Sequence, residues 1–202
     1  MSKDFFQDKS NNYEKDKNRV DNVQNIANLI TKEIDFDKSM EIIDFGSGTG
    51  LLLEKIAPFV KSITAIDLSP SMNKKLNDKR DLIDCNLEIL EIDLAKTKLE
   101  KKFDSIISSM TLHHIENIEN LFKDFYNILN ENGTIALADL DIEDGSFHTE
   151  DTGVYHFGFD RDEVVKIAKN VGFKNVKIQD ASIAYKPQGG YLIFLLTASK
   201  YI

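Results

Sequence analysis

Short apolar runs alternate with amphipathic segments along most of this 202-residue chain. A short apolar run bounded by polar or turn residues is typical of a buried strand. Runs of this kind predict five strands before residue 140: Ile42–Ile43, Ser62–Ile66, Leu87–Ile92, Phe103–Ser108 and Thr134–Ala138.

Apolar residues spaced three and four positions apart predict helices between these strands. The first helix runs from Arg19 to Ile34, and a second leaves the glycine-rich stretch at Leu51 and ends near Pro58. Ser69-Pro70-Ser71 is typical of a helix cap before a polar helix over 72–81. The spacing also predicts a helix over 118–129, which Asn132-Gly133 would terminate as a glycine C-cap.

The last helix is predicted from Asp160, with Glu163 completing a capping-box-like start, to Gly172. Two further strands follow, at 175–185 and 191–199. The link between them, 186–190, is too short for a parallel crossover, so this pair is predicted to be antiparallel. Strands alternating with helices predict an α/β fold, with a doubly wound, mostly parallel seven-stranded sheet and helices on both faces.

The remaining segments predict how the chain is organised. No repeat or low-complexity linker divides residues 1–202, which we interpret as a single domain. Residues 1–18 are mostly polar and predict a loose N-terminal arm. Residues 140–159 have no clean period and contain three glycines, which predicts a long lid loop over the site.

Composition narrows the possible partners. The formal net charge is -9 and the lysines are scattered, which argues against a nucleic-acid polymer and favours a neutral or cationic small ligand. Cys85 is the only cysteine, so neither an intramolecular disulfide nor a cysteine zinc cluster is expected. The N-terminus lacks the apolar region of a signal peptide and no apolar run reaches membrane-spanning length, so we expect a cytoplasmic protein without a membrane partner.

The stretch EIIDFGSGTG at 41–50 predicts a cofactor site. A strand that enters a glycine-rich turn and then a helix brings backbone amides close to a ligand. The spacing here is G-x-G-x-G, which differs from the G-x-G-x-x-G dinucleotide fingerprint, and Asp44 before the turn would repel a pyrophosphate. Asp67 follows 23 positions later, where an acid at the next strand end can accept both ribose hydroxyls. Adenosine with a cationic tail describes S-adenosylmethionine.

Five motifs in order resemble the class I S-adenosylmethionine-dependent methyltransferases of small-molecule type. They are DFGSGTG (44–50), AIDLSPSM (65–72), LEIDLA (90–95), FDSIISSMTLHHIEN (103–117) and GTIALAD (133–139). The antiparallel last strand is also a hallmark of that family. The resemblance spans nearly the whole chain and implies a methyltransferase with S-adenosylmethionine as its cofactor.

The resemblance also implies roles for individual residues. Those implied at the methionine part of the cofactor are Asp44, Gly46, Ser47, Gly48, Thr49 and Gly50, with Arg19 as a further candidate for the carboxylate. Those implied at the adenosine part are Asp67 for the ribose, and Leu68, Met72, Asp93 and Leu94 around the adenine. Ser109 and Met110 would lie near the transferable methyl group, and Tyr13 would fold over the site.

His113 and His114 are the candidate catalytic residues, since they follow the fourth strand where the acceptor side should begin. One of them could instead pack in the core or cap the next helix, and a base is needed only for a hydroxyl acceptor. His148, His156 and the acids of the lid match no metal-ligand spacing, so we predict no metal site.

Three rival functions remain open. The first is a methyltransferase that acts on RNA or protein, and the acidic composition argues against it. Residues 108–111 also lack the (N/D)PP(Y/F) tetrapeptide of enzymes that methylate amino groups of bases. A non-catalytic cofactor-binding module is the second rival, and a nicotinamide-dependent oxidoreductase is the third. The acceptor, its reacting atom and the oligomeric state are not determined by the sequence.

Overall fold

In a computed structural model, which describes residues 4–7, 10–94, 96–150 and 152–201, the strands are those that the apolar runs predict. Residues 1–3, 8 and 9 of the predicted arm, Ala95 of the third motif, Asp151 of the predicted lid and Ile202 lie outside the described residues. The strands are β1 Glu41–Phe45, β2 Ser62–Ile66, β3 Asn86–Leu90, β4 Phe103–Ser109, β5 Leu129–Leu140, β6 Lys174–Lys186 and β7 Gly189–Ser199.

The helices fall between these strands as the spacing predicts. They are α1 Lys17–Glu33, α2 Leu51–Ile56, α3 Pro70–Asp78, α4 Ile118–Ile128 and α5 Arg161–Val171. Short 3-10 turns add Ser10–Lys15, Ala57–Phe59, Arg80–Leu82 and Leu112–His114. No helix of the described part of the chain has both the length and the apolar character needed to cross a membrane.

Within the described residues, seven strands form one sheet in the order β3-β2-β1-β4-β5-β7-β6. The first five strands pair in parallel, whereas β7 pairs antiparallel with both β5 and β6. The predicted fold class is therefore confirmed. The strand order reverses between β1 and β4, and in such sheets ligands bind outside the carboxyl ends of the strands at that reversal.

The two faces of the sheet carry separate cores. Ile42 packs into a cluster with residues of α1, α2 and α3, while the adjacent Ile43 packs into a cluster with residues of α4 and α5. Successive side chains of a strand point to opposite faces, so a continuous apolar run fills both cores. The burial of the strands on both sides fixes their register and hence the position of the carboxyl edge.

The predicted helix caps at Ser69 and Asp160 are confirmed. The Ser69 side chain accepts a hydrogen bond from the Met72 backbone N–H, and the Asp160 side chain accepts one from the Glu163 backbone N–H. The predicted C-cap at Asn132-Gly133 is wrong, because α4 ends at Ile128 and Leu129 already pairs with Phe103 in the sheet. Asn132, with φ of 63°, lies where the β4–β5 register shifts.

Candidate functional site

The glycine-rich turn leads from the end of β1 to the start of α2. Gly46, Gly48 and Gly50 have φ of 70°, 54° and 89°, a left-handed conformation that side chains with a Cβ rarely adopt. A Cβ at Gly46 would overlap the Thr111 side chain, whereas a Cβ at Gly48 would meet no atom of the described residues within 4 Å. The turn therefore leaves open space beside Gly48, where a ligand can approach the backbone.

Asp67 is bonded directly to this turn. Its carboxylate accepts hydrogen bonds from the backbone N–H of Gly48 and of Ser69, each at 2.8 Å. The first of these bonds joins two parts of the chain that the sequence separates by 19 residues. Asp67 thus lies at the same edge as the glycine turn, as its place at the end of β2 predicts.

Asp44 lies beneath the turn with 1% of its surface exposed. Its Oδ2 has no hydrogen-bond partner in the described structure. Burial, with a smaller contribution from the negative charge of Asp67, raises the pKa of Asp44 to about 8. Burial destabilises the ionised form of a carboxyl that has no partner. A cationic group beside the carboxyl would stabilise the ionised form and lower its pKa again.

A cavity of about 190 Å³ opens at this edge of the sheet. It brings together eleven of the sequence-predicted site residues. These are Tyr13, Arg19, Asp44, Gly46, Ser47, Gly48, Thr49, Ser109, Met110, His113 and His114. The residues predicted for catalysis and, apart from Gly50, those predicted for the methionine end of a cofactor therefore share one cavity.

Six predicted site residues do not line this cavity: Gly50, Asp67, Leu68, Met72, Asp93 and Leu94. Met72 and Leu94 are buried, Leu68 is 56% exposed, and Gly50 caps the start of α2. Because β3 ends at Leu90, Asp93 lies beyond the strand tip instead of at it, and it pairs with Lys96 at 2.7 Å. The residues predicted for the adenosine side thus lie outside the cavity.

Tyr13 and Arg19 form one unit at the base of the arm. The Arg19 guanidinium lies 4.0 Å from the centre of the Tyr13 ring and donates a hydrogen bond to the Tyr13 carbonyl at 2.6 Å. Asp16 caps α1 and pairs with Arg19 at 3.7 Å. The cap and the ion pair hold the aromatic ring and the guanidinium together at the cavity wall.

His113 is buried and pairs with an acid that the sequence did not single out. Its Nδ1 lies 2.6 Å from Oδ1 of Asp139, which is fully buried near the end of β5. Burial would raise the pKa of Asp139, but its interactions with His113 and backbone N–H groups hold the pKa below its ordinary value. An ionised Asp139 therefore faces one nitrogen of the imidazole and orients the ring.

Two more histidine rings surround His113. The ring centres of His114 and His148 lie 4.4 and 5.0 Å from that of His113. His148 and Phe147, which also line the cavity, belong to the loop between β5 and α5 and have no periodic signal in the sequence. The sequence could have indicated Asp139 as a site residue, since it is an acid near the end of a parallel strand, as Asp44 is. Within the described ranges, no group of three or more His, Cys, Asp or Glu residues is arranged to hold a metal ion.

Two segments cover the cavity. The loop between β5 and α5 is bonded to the 3-10 turn of the histidines, because the backbone N–H groups of Tyr155 and His156 both donate to the His113 carbonyl. From the arm, Phe6 packs edge-on against His114 at 5.7 Å between ring centres. Asp4 accepts hydrogen bonds from the Ser69 hydroxyl and the Ser71 N–H.

A sheet of this order with a reversed β7, and an acid and glycine turn at its carboxyl edge, defines the Rossmann-like methyltransferase fold. The sequence profile described as "Methyltransferase domain" matches residues 15–178. The chain belongs to this family, the class I S-adenosylmethionine-dependent methyltransferases.

The known proteins similar to this chain carry related names. An uncharacterised methyltransferase of Schizosaccharomyces pombe is 26% identical over 175 residues, which cover 78% of this chain and 60% of that protein. A malonyl-[acyl-carrier protein] O-methyltransferase of Ilyobacter polytropus is 34% identical over 107 residues, covering 50% of this chain and 38% of that protein. The chain therefore spans less than two thirds of either relative.

A solved structure extends the likeness in fold over the whole chain. It is a complex between the Haloferax volcanii Trm112 methyltransferase activator and a methyltransferase. The match has a TM-score of 0.79 and 14% identity, and it covers all of this chain and all of the matched chain. At this identity the likeness concerns the fold alone.

Proposed function

We propose that this chain transfers the methyl group of S-adenosylmethionine to a small-molecule acceptor by in-line displacement. The observation that carries the proposal is the buried Asp44, whose Oδ2 has no partner among the described residues and which lines a cavity beneath the glycine turn. Family membership supports the cofactor. The acceptor class is our inference from the size of the cavity and the formal net charge of -9.

The residues present fit this cofactor. A cationic amino group would donate a hydrogen bond to Oδ2 of Asp44, which has no partner among the described residues. The open space beside Gly48 would let the ligand lie against the backbone of the turn. Asp67 would accept the ribose hydroxyls, since each of its oxygens has accepting capacity beyond the backbone bond that it already makes. Leu68, Met72, Asp93 and Leu94 remain candidates for the adenine side, and Arg19 for the methionine carboxylate.

The cofactor, when bound, supplies an electrophilic methyl group on a sulfonium, so the protein mainly has to align the partners and exclude water. The loop at 141–160 and the arm would provide that exclusion, since Phe6, Phe147 and His148 already form part of the cavity wall. His113, oriented by Asp139, is the candidate group that touches the acceptor. His114 is the second candidate.

Two measurements test the proposal. S-adenosylhomocysteine should raise the melting temperature of the protein and NAD should not, because a ligand at 100 times its Kd stabilises a protein by about 2.7 kcal/mol. Transfer of a radiolabelled methyl group to pooled metabolites, but not to RNA or protein, should then follow.

The outcomes separate the rival functions. A shift with S-adenosylhomocysteine but no transfer to any acceptor would indicate a non-catalytic binding module. Transfer to nucleic acid or protein alone would replace the small-molecule acceptor. The absence of any shift with S-adenosylhomocysteine would remove the proposed function.

A further inference from the structure

The carboxylate of Asp139 holds His113 at two points. Oδ1 of Asp139 lies 2.6 Å from Nδ1 of the imidazole, and Oδ2 accepts a hydrogen bond from the His113 backbone N–H at 3.3 Å. Oδ1 also accepts a hydrogen bond from the Leu140 backbone N–H at 2.7 Å. Burial would raise the pKa of Asp139, but these interactions hold it below its ordinary value. Asp139 is therefore ionised near neutral pH, and an ionised carboxylate only accepts hydrogen bonds.

This carboxylate decides which nitrogen of the neutral imidazole carries the proton. Because Asp139 can only accept, Nδ1 is the nitrogen with the proton, and Nε2 keeps its lone pair. Nε2 has no hydrogen-bond partner among the described residues, and His113 lines the cavity. The neutral ring therefore offers a ligand in the cavity one atom that accepts a hydrogen bond and can take up a proton.

A basic nitrogen at this place favours one kind of acceptor. A carboxylate has no proton to share with Nε2 and is already a nucleophile. An amine can lose its proton to solvent before it binds, so a fixed base adds little to its reaction. A hydroxyl group donates a hydrogen bond to Nε2, and it is a weak nucleophile until its proton is removed. The His113–Asp139 pair is therefore most useful to a hydroxyl acceptor.

The acidity of the hydroxyl narrows the class further. An unperturbed imidazole has a pKa of about 6.5 and a phenol such as the tyrosine side chain one of about 10. An aliphatic alcohol is closer to water, whose pKa is about 15.7. Proton transfer to an imidazole is easier when the two pKa values lie closer together. A phenol is thus the hydroxyl compound that suits this base.

Contacts between rings connect His113 to apolar parts of the cavity wall. The ring centres of His113 and His148 lie 5.0 Å apart, and Phe147 packs against His148 at 4.8 Å. The ring of His114 lies 4.4 Å from that of His113 and 5.7 Å from that of Phe6. Phe6 and Phe147 both line the cavity. Aromatic walls near the base suit an acceptor that is itself a flat aromatic ring.

We propose that the acceptor is a phenol whose hydroxyl proton moves to Nε2 of His113, with Asp139 as the residue that positions the imidazole. This inference rests on the proposed function. The phenolic oxygen forms the new O–CH₃ bond while the S–CH₃ bond breaks and its electron pair stays on sulfur. The O–H proton moves to Nε2, and Asp139 balances the charge of the imidazolium. The neutral phenol and the positive sulfonium become a neutral ether and a neutral thioether, and the imidazolium later releases its proton to solvent.

The first test measures binding with four small probes that share one ring: phenol, fluorobenzene, benzoate and benzylamine. Each is titrated by NMR into the full chain saturated with S-adenosylhomocysteine. Phenol should bind about fivefold or more tightly than fluorobenzene, which has a similar size but no hydroxyl proton, as expected for one hydrogen bond. Benzoate and benzylamine should bind more weakly than phenol.

The ¹⁵N spectrum of the histidine rings tests the proton position. The Nε2 signal of His113, assigned by its loss in His113→Gln, should be that of an unprotonated nitrogen at neutral pH. It should move when phenol is added and stay in place when fluorobenzene is added. A protonated Nε2 in the neutral ring would overturn the role of His113 as a base.

Asp139→Asn tests the positioning role. An amide in place of a buried carboxylate can hold an imidazole in the other tautomer, so the ¹⁵N pattern of a proton on Nδ1 should be lost while the Kd for S-adenosylhomocysteine stays the same. Asp162→Asn, which changes an exposed acid of α5 outside the cavity, should alter neither quantity. A lower melting temperature and a weaker Kd with an unchanged ¹⁵N pattern would show that Asp139 only supports the fold.

The second test measures transfer of a radiolabelled methyl group to separate pools of phenols, aliphatic alcohols, carboxylic acids and amines. The phenols should be methylated. His113→Gln should slow this transfer by about 100-fold or more, as expected for loss of a general base, with its Kd for S-adenosylhomocysteine unchanged. The glutamine amide can still donate to Asp139 but cannot take up a proton, so the variant separates the chemical role from the structural one.

The other outcomes contradict the proposal at different points. Equal binding of phenol and fluorobenzene, including equally undetectable binding, overturns the hydroxyl assignment. Transfer to the other pools alone, or to none of the pools, overturns the phenol, and undiminished transfer in His113→Gln overturns the base. A protein that fails to bind S-adenosylhomocysteine refutes the proposed function itself, and this is seen before any probe is added.

Discussion

The carboxylate of Asp67 accepts a hydrogen bond from the backbone N–H of Gly48 at 2.8 Å. This bond ties the end of β2 to the centre of the glycine turn, and it places the predicted ribose acceptor beside the predicted methionine site. The geometry of the turn and the position of the acid therefore depend on each other.

Replacing Asp67 should lower the affinity for the cofactor more than it lowers the stability of the fold. We expect Asp67→Asn to raise the Kd for S-adenosylhomocysteine tenfold or more, because an amide cannot accept charge-assisted bonds at both of its ends. Calorimetric titration measures this. Asp162→Asn, which changes an exposed acid of α5 outside the cavity in the same way, should leave the Kd unchanged. An unchanged Kd in Asp67→Asn would remove the ribose role.

The two glycines of the turn should respond differently to alanine. Gly48→Ala has space for its Cβ, so it should cost only about 1–2 kcal/mol for its left-handed backbone while it obstructs the ligand. Gly46→Ala should destabilise the protein further, because its Cβ overlaps Thr111. Thermal melting with and without S-adenosylhomocysteine separates the two effects. A Gly48→Ala protein with normal affinity would show that no ligand approaches the turn there.

Asp44 should make the stability of the ligand-free protein depend on pH. Its pKa is about 8 in the fold and 3.8 ordinarily, so between these values the folded state binds the extra proton and stability falls as the pH rises. Asp44→Asn should abolish this slope and stabilise the ligand-free protein at pH 8 and above by roughly 1–3 kcal/mol, as expected for relief of an unsatisfied buried group. Urea unfolding at a series of pH values measures it.

The same carboxyl should couple cofactor affinity to pH. Binding a cationic amino group requires Asp44 to ionise, so the affinity for S-adenosylhomocysteine should rise with pH up to about 8. 5′-Methylthioadenosine, which lacks the amino-acid end, should bind without this dependence. A parallel pH dependence of both ligands would place Asp44 away from the methionine end.

Arg161 should limit local opening of the loop at 141–160. Its guanidinium bonds both oxygens of Asp141, at 2.6 and 2.7 Å, and also pairs with Asp180 of β6. Arg161→Lys keeps the charge but loses the two-point contact, so hydrogen exchange of the loop amides should become faster. Lys177→Met, which removes the surface pair with Glu33, serves as control. Unchanged exchange in Arg161→Lys would show that other contacts hold the loop.

The sequence by itself determined the features that follow from local rules. Apolar runs such as 62–66 must be buried on both faces, which requires a parallel sheet with helices on either side, and the short link after Lys186 requires an antiparallel partner for β6. Glycines at 46, 48 and 50 mark a left-handed turn because other residues rarely adopt it. The carboxyl ends of parallel strands share one edge, so the sequence alone predicts that Asp44 and Asp67 lie close together.

Only the tertiary structure decided which side chains face the cavity. The pairing of His113 with Asp139 joins residues 26 positions apart, and it depends on the register between strands and on the rotamers that packing allows. Leu129 joined β5 instead of the helix because a sheet partner was available, which overrode the local cap signal at Asn132-Gly133. The loop that carries Phe147 and His148 has no period to read, since its position is set by contacts with distant residues instead of by its own repeat.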